Sequence, residues 1–103
     1  MDHVKILDCT LRDGGYYNNW DFSNKFAKDY IKSLSNSSVN SIEIGFRKPI
    51  TTNIGSGQKG LKKIGNFLTT KESFIKNFKF PRNKTIAVMI DLADFLKKNN
   101  FQY

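Results

Sequence analysis

Three short apolar runs, each followed by a stretch with helical spacing, constrain this 103-residue chain more than any other feature. Val4 to Leu11 alternates apolar and polar residues and reads as a strand. Ser23 offers an N-cap, after which Phe26, Ala27, Tyr30, Ile31 and Leu34 recur at helical spacing to about Ser35. Asn36-Ser37-Ser38 stops that helix, and Ser41 to Phe46 (SIEIGF) is a second strand. Arg47 to Asn66 holds most of the glycines and reads as a long loop. Thr69 and Glu72 stand at capping-box spacing ahead of Phe74, Ile75 and Phe78, which predicts a second helix ending before Pro81. Thr85 to Ile90 is a third strand, and LADFLKKNN opens a third helix. Such alternation demands parallel strands joined by right-handed crossovers.

The strand faces sharpen the fold. Ile42 and Ile44 share one side of the second strand, and Glu43 and Gly45 share the other. A parallel strand covered by helices on both faces is apolar throughout, so a carboxylate within it requires a polar interior such as the mouth of a barrel. In the first strand Asp8, Thr10 and Arg12 fall on one parity, and Leu7, Cys9 and Leu11 on the other. The expected fold is α/β: the N-terminal portion of a (β/α)8 TIM barrel, with about three parallel strands and crossover helices. Chemistry in such barrels gathers at the C-terminal strand ends, where Arg12, Asp13, Arg47 and Asp91 fall. A closed barrel takes about 250 residues. Residues 1–103 are therefore expected to be an incomplete barrel domain: the first third of a larger enzyme, a truncated copy or an excerpt.

Composition narrows the function classes. No apolar run approaches the roughly 18 residues of a membrane span, and the first residues lack the basic and apolar regions of a secretory signal. A single cysteine, Cys9, excludes an internal disulfide and suits a reducing compartment, so a cytoplasmic protein without membrane partners is expected. Cys9 itself reads as a packed residue and His3 as an exposed terminal one. The net charge of +8 is uneven: residues 47–84 carry ten Lys or Arg and one acid, Glu72. That segment interleaves Phe67, Phe74, Phe78 and Phe80 with lysines, which opens nucleic-acid binding beside a plain solvated surface. No recognised nucleic-acid motif is present and the Phe spacing suits a helix face, so nucleic acid ranks last.

The string LDCTLRDGG, followed about thirty residues later by IEIGF, resembles the start of the DRE-TIM metallolyases. That superfamily includes 4-hydroxy-2-oxovalerate aldolase, isopropylmalate synthase and HMG-CoA lyase. The resemblance covers residues 4–47 and extends more loosely to Asp91. It implies that Asp13 is a ligand to a divalent metal (Mn2+, Mg2+ or Zn2+), that Arg12 steadies an enolate oxygen, and that Glu43 completes the motif. It implies carbon–carbon bond chemistry on a small 2-oxo acid or aldehyde. A metal and a fixed guanidinium place positive charge where an enolate develops negative charge. Gly14 and Gly15 allow a sharp turn and close backbone approach. With Tyr16, Arg47 and Asp91 they are the candidate substrate-binding positions.

Two departures qualify what the resemblance implies. The family completes its metal site with a His-x-His pair, whereas this chain has only His3. Tyr16 stands where hydroxy-oxovalerate aldolases carry a catalytic histidine, and a phenol of pKa near 10 is a poor base at neutral pH. The chain alone is therefore expected to be inactive. The alternatives are a non-catalytic remnant or a half-barrel that assembles with a partner chain or a second copy. Bland roles stay open for several positions: a surface acid for Glu43, a helix cap for Asp91, and rim packing for Tyr16, Tyr17 and Trp20.

Overall fold

The computed structural model describes residues 4–49 and 64–96. His3, the 50–63 part of the expected loop and the 97–103 end of the expected third helix lie outside the described residues. Three strands, β1 (Leu7–Asp8), β2 (Ser41–Phe46) and β3 (Thr85–Met89), form one parallel sheet in the order β1-β2-β3. Between and after them run α1 (Thr10–Asp13), α2 (Asn24–Ser33), α3 (Glu72–Ile75) and α4 (Leu92–Leu96). Short 3-10 turns cover Gly14–Tyr16 and Leu34–Asn36. Among the described residues, no helix is long and apolar enough to cross a membrane.

Helix α2 forms for the reasons its sequence states. Ser23 is extended and its Oγ accepts the Phe26 N–H at 3.0 Å, satisfying one orphan donor of the first turn. Ala27 and Ile31 are buried, and Leu34 continues the same stripe into the following 3-10 turn. Leu34 packs with Ile42 and Ile44 of β2, and Ile75, Phe80, Ile86 and Val88 close around them. A larger cluster joins Leu11, Trp20, Ala27, Ile31, Phe46, Phe67 and Leu68. Each Leu, Ile or Phe among them contributes about 1.5–3 kcal/mol on full burial.

The first strand is shorter than its alternation predicts. Only Leu7 and Asp8 pair with β2, at Ser41 and Ile42. The Asp8 carboxylate then accepts the Thr10 N–H at 3.1 Å, and both Arg12 and Asp13 donate their N–H groups to the Cys9 carbonyl. A side-chain acceptor so placed competes with the ladder and turns the backbone into a helix. The parity shared by Asp8, Thr10 and Arg12 therefore does not describe a strand face. Leu11 is fully buried while Leu7 is half exposed.

The expected capping box before the second helix also fails. The cap position is Lys71, which makes no side-chain cap bond, and α3 is a single turn. Thr70 adopts φ 44° and its hydroxyl bonds the carbonyls of Phe46 (2.6 Å) and Phe67 (3.0 Å), so the 66–69 turn is fastened to the end of β2. Glu72 reaches across to Arg47 instead of back along its own helix. Tertiary bonds have overruled a local signal.

At Gly45 the β2–β3 register shifts and the backbone takes φ 148°. A Cβ there would lie 2.4 Å from the Phe67 carbonyl oxygen, so glycine is required by both conformation and space. The bulge removes Phe46 from the company of Ile42 and Ile44 and places it in the cluster of Leu11 and Trp20.

Candidate functional site

The C-terminal ends of the strands carry the charged side chains that the sequence singles out. β1 ends on Asp8, which is fixed by several donors. Beyond the Thr10 N–H, its Oδ2 accepts the Tyr30 hydroxyl from α2 at 2.5 Å and lies 3.3 Å from Thr10 Oγ1. Burial, and then the bond to Asp8, raise the Tyr30 phenol above its ordinary value of 10.0.

One turn later α1 presents Arg12 and Asp13. Arg12 Nε donates to Glu43 Oε1 at 2.6 Å; the Glu43 side chain is 6% exposed and that of Arg12 20%. The Glu43 bond raises the guanidinium pKa against the opposing effect of burial. Asp13 makes a longer contact with Arg12, 3.4 Å, and is largely open to solvent. Glu43 sits mid-strand in β2 opposite Ala87 of β3, so the carboxylate has a small neighbour on that side.

Trp20 holds this turn from behind. Its Nε1 donates to the Arg12 carbonyl at 2.7 Å, and its own N–H bonds the Gly15 carbonyl at 3.0 Å. A Cβ on Gly15 would lie 1.9 Å from the indole, so the space beside that glycine is filled by the protein itself. Asn19 and Trp20 both adopt left-handed backbone, φ 65° and 56°, to bring the ring there. The Tyr16 ring meets Trp20 edge-on at 4.8 Å and Phe46 at 6.1 Å.

Phe46 links the two halves of the rim. Its ring centre lies 5.7 Å from the Arg12 guanidinium carbon and 5.3 Å from Lys48 Nζ, both within cation–π range. Lys48 in turn donates to Asp91 Oδ2 at 3.2 Å and Asp94 Oδ2 at 3.1 Å. Burial alone would lower the Lys48 pKa, but the bonds to Asp94 and Asp91 outweigh it and the net shift is upward. Lys48, and then the Ala93 N–H, hold Asp91 below its ordinary range. Asp91 thus serves as an acceptor at the start of α4 and as an ion-pair partner.

Arg12, Asp13 and Glu43 are therefore brought together, with Gly14, Gly15 and Tyr16 in the adjoining turn and Asp91 joined through Lys48 and Phe46. Arg47 is not part of that group: its guanidinium binds the Thr70 carbonyl (2.9 and 3.2 Å) and Glu72 (2.9 Å). Sequence reasoning missed Asp8, Phe46, Lys48 and Asp94. Lys48 follows a strand end just as Arg47 does, and that position was its available signal. The phenylalanines of the basic segment pack against one another, Phe67 with Phe74 at 4.9 Å and with Phe78 at 5.8 Å.

The rim gathers five carboxylates, Asp8, Asp13, Glu43, Asp91 and Asp94, against two cations, Arg12 and Lys48, in a chain of net charge +8. Among the described residues no three His, Cys, Asp or Glu side chains group closely enough to hold a metal ion. Asp13 is an open carboxylate, whereas Glu43, Asp8, Asp91 and Asp94 are engaged as described. The described residues thus supply one ready ligand, short of the three or so that a protein metal site uses.

No family model and no curated protein matches this chain. Among solved structures it is similar to the N-terminal domain of a "putative aldolase" from Bacteroides vulgatus, at 37% identity and a TM-score of 0.67. The match covers 88% of this chain and 27% of that one, so this chain spans about a quarter of the solved chain it resembles. At that identity the likeness supports an aldolase-like reading at a coarse level.

Proposed function

We propose that this chain is the first part of a metal-dependent carbon–carbon lyase of the DRE-TIM type. In this reading its three strands open a (β/α)8 barrel that acts on a small 2-oxo acid or aldehyde through an enolate. The observation that carries the reading is the immobilised guanidinium of Arg12: Glu43 binds its Nε, Phe46 flanks it, and Trp20 pins its carbonyl. With Nε on Glu43 and Nη1 in a longer, 3.4 Å contact with Asp13, the terminal amino groups keep further N–H donors for an enolate oxygen. A positive charge already fixed in place stabilises that oxygen without reorganising as it forms. Glu43 acts by orienting Arg12, and Asp13 would provide one ligand to Mn2+, Mg2+ or Zn2+. When bound, such a cation supplies Lewis-acid stabilisation of the same oxygen. The remaining ligands would come from beyond the described residues. The excess of rim carboxylates favours a cation there.

The test is a Mn2+ titration of the chain followed by electron paramagnetic resonance, with and without oxalate, a planar mimic of the pyruvate enolate. Weak Mn2+ binding that depends on Asp13 and tightens with oxalate is expected, and Arg12→Met removes the oxalate gain while leaving Mn2+ binding. Binding indifferent to Asp13→Asn sinks the metal reading, and an oxalate effect that survives in Arg12→Met sinks the role of the arginine.

A second reading rests on the margins of the sheet. Among the described residues β1 and β3 are each paired on one side only, and Val4, Leu92 and Leu96 are 78%, 68% and 66% exposed. Open edges and apolar side chains of this kind seek cover. The chain would then be a non-catalytic half that joins a partner chain or a second copy. A concentration-independent monomer in sedimentation velocity removes self-assembly from consideration.

A further inference from the structure

A second concavity lies at the opposite end of the sheet, where β2 and β3 begin. Between α2 and residues 77–81 runs a groove of about 550 Å3, within the range of ligand clefts. Ile31, Phe78 and Phe80 line it together with Lys28, Lys32 and Lys79, and no Asp or Glu does. None of these three lysines forms an ion pair among the described residues, unlike Lys25 with Asp29 or Lys48 with Asp91 and Asp94. Lys28 and Lys32 are four residues apart on α2, which sets their stems about 6 Å apart along the helix axis. Lys79 comes from the opposite wall.

We propose that this groove docks an acidic segment of a partner protein, its carboxylates on Lys28, Lys32 and Lys79 and its apolar side chains on the floor. The charges select that occupant. At this groove a second copy of this chain is a poor occupant: its rim carboxylates other than Asp13 are already engaged, and its net charge of +8 opposes approach. A nucleic acid needs free aromatic faces or a long basic track, but the Phe78 ring is engaged with Phe67, Phe74 and Phe80. A simple inorganic anion would leave the apolar floor uncovered. An acidic amphipathic segment satisfies both the lysines and the floor. This inference is independent of the chemistry proposed for the strand ends.

The experiment uses the whole chain and a short fluorescein-labelled peptide alternating Glu with Leu and Phe, read by anisotropy. Lys28→Glu with Lys32→Glu is expected to weaken binding about tenfold, because attraction becomes repulsion at two contacts. The charge-matched control, Lys5→Glu with Lys71→Glu, changes it by less than about threefold. Replacing Leu and Phe in the peptide by Ser abolishes binding. All four lysines are exposed, so unchanged Trp20 emission verifies the fold of each variant. The proposal is overturned by absence of binding, by equal losses in the two double variants, or by undiminished binding of the Ser peptide. It is also overturned if oligo-dT binds more tightly than the peptide and through the same lysines.

Discussion

Removing Arg12 should cost more stability than altering Glu43, although both changes break the same bond. The asymmetry follows from exposure: the Glu43 side chain is 6% exposed and that of Arg12 is 20%. Arg12→Met leaves a nearly buried carboxylate without its cation. Losing one partner of a buried pair costs about 3–5 kcal/mol, and partial hydration around Arg12 places this case near the lower figure. Glu43→Gln keeps an amide oxygen that still accepts from Nε, and the guanidinium keeps Phe46, Asp13 and some water. Its cost is the difference between a charged and a neutral hydrogen bond, about 1 kcal/mol. In the double variant no charge is stranded, and the loss falls to about 2 kcal/mol, an incompletely bonded buried amide. The two changes therefore couple by about 2 kcal/mol, well above the scatter expected for independent sites. Urea unfolding followed by Trp20 emission and far-ultraviolet circular dichroism measures all four corners. If Arg12→Met fails to fold, the double variant should fold where the single does not. The reasoning fails if Arg12→Met costs no more than Glu43→Gln, or if the two costs simply add.

Gly15→Ala puts a methyl group where the indole lies, 1.9 Å from a ring carbon, and should displace Trp20 from the Arg12 carbonyl. A red-shifted emission and a stability loss of about 1–3 kcal/mol, as for overpacking, are expected in denaturant melts. Asp91 has a folded pKa held below its unfolded value near 3.8, so its pairing stabilises the fold above that pH and fades as pH falls through the folded value. Asp91→Asn should flatten the acid limb of a stability-versus-pH curve there while leaving its shape near neutrality unchanged. Tyr30 shifts the other way: its neutral phenol is favoured in the fold, so its contribution is complete below pH 10.0 and is lost as pH rises through the folded value. Tyr30→Phe should remove a phenolate titrating above pH 10.0 from the tyrosinate absorbance curve, and a spectrum without that loss contradicts the assignment.

What the sequence made legible was what depends on neighbours in the chain. α2 was readable because its cap, Ser23, and its stripe, Ala27, Ile31 and Leu34, act within a few residues of one another. β2 was readable because its span is an unbroken apolar and glycine run around one acid, and the three-strand parallel order follows from the alternation. The early end of β1 was not, since an aspartate that bonds two residues ahead looks like any polar position in an alternating strand. The cap of α3 was misread because Lys71, not Thr69, takes the cap position, and Glu72 bonds Arg47, 25 residues earlier, instead of closing a capping box. Gly45 illustrates the same limit. Its shift moves Phe46 between clusters, which strict alternation hides. Of the candidate site, Arg12, Asp13 and Glu43 were visible as a motif, whereas Lys48 and Asp94 become partners only once β2 and β3 lie side by side.

The position of Phe46 gives the strand ends a common mechanical element. Arg12 follows β1, Phe46 ends β2, and Lys48 binds the residues that follow β3, so one ring is the relay between all three. Its neighbours hold the ring by faces and edges, whereas each cation on it is anchored by its own bonds, Arg12 to Glu43 and Lys48 to Asp91 and Asp94. The ring therefore acts as a spacer: its width sets how far apart two ion-paired cations of like charge stand, and a smaller side chain at this position would let them close on one another.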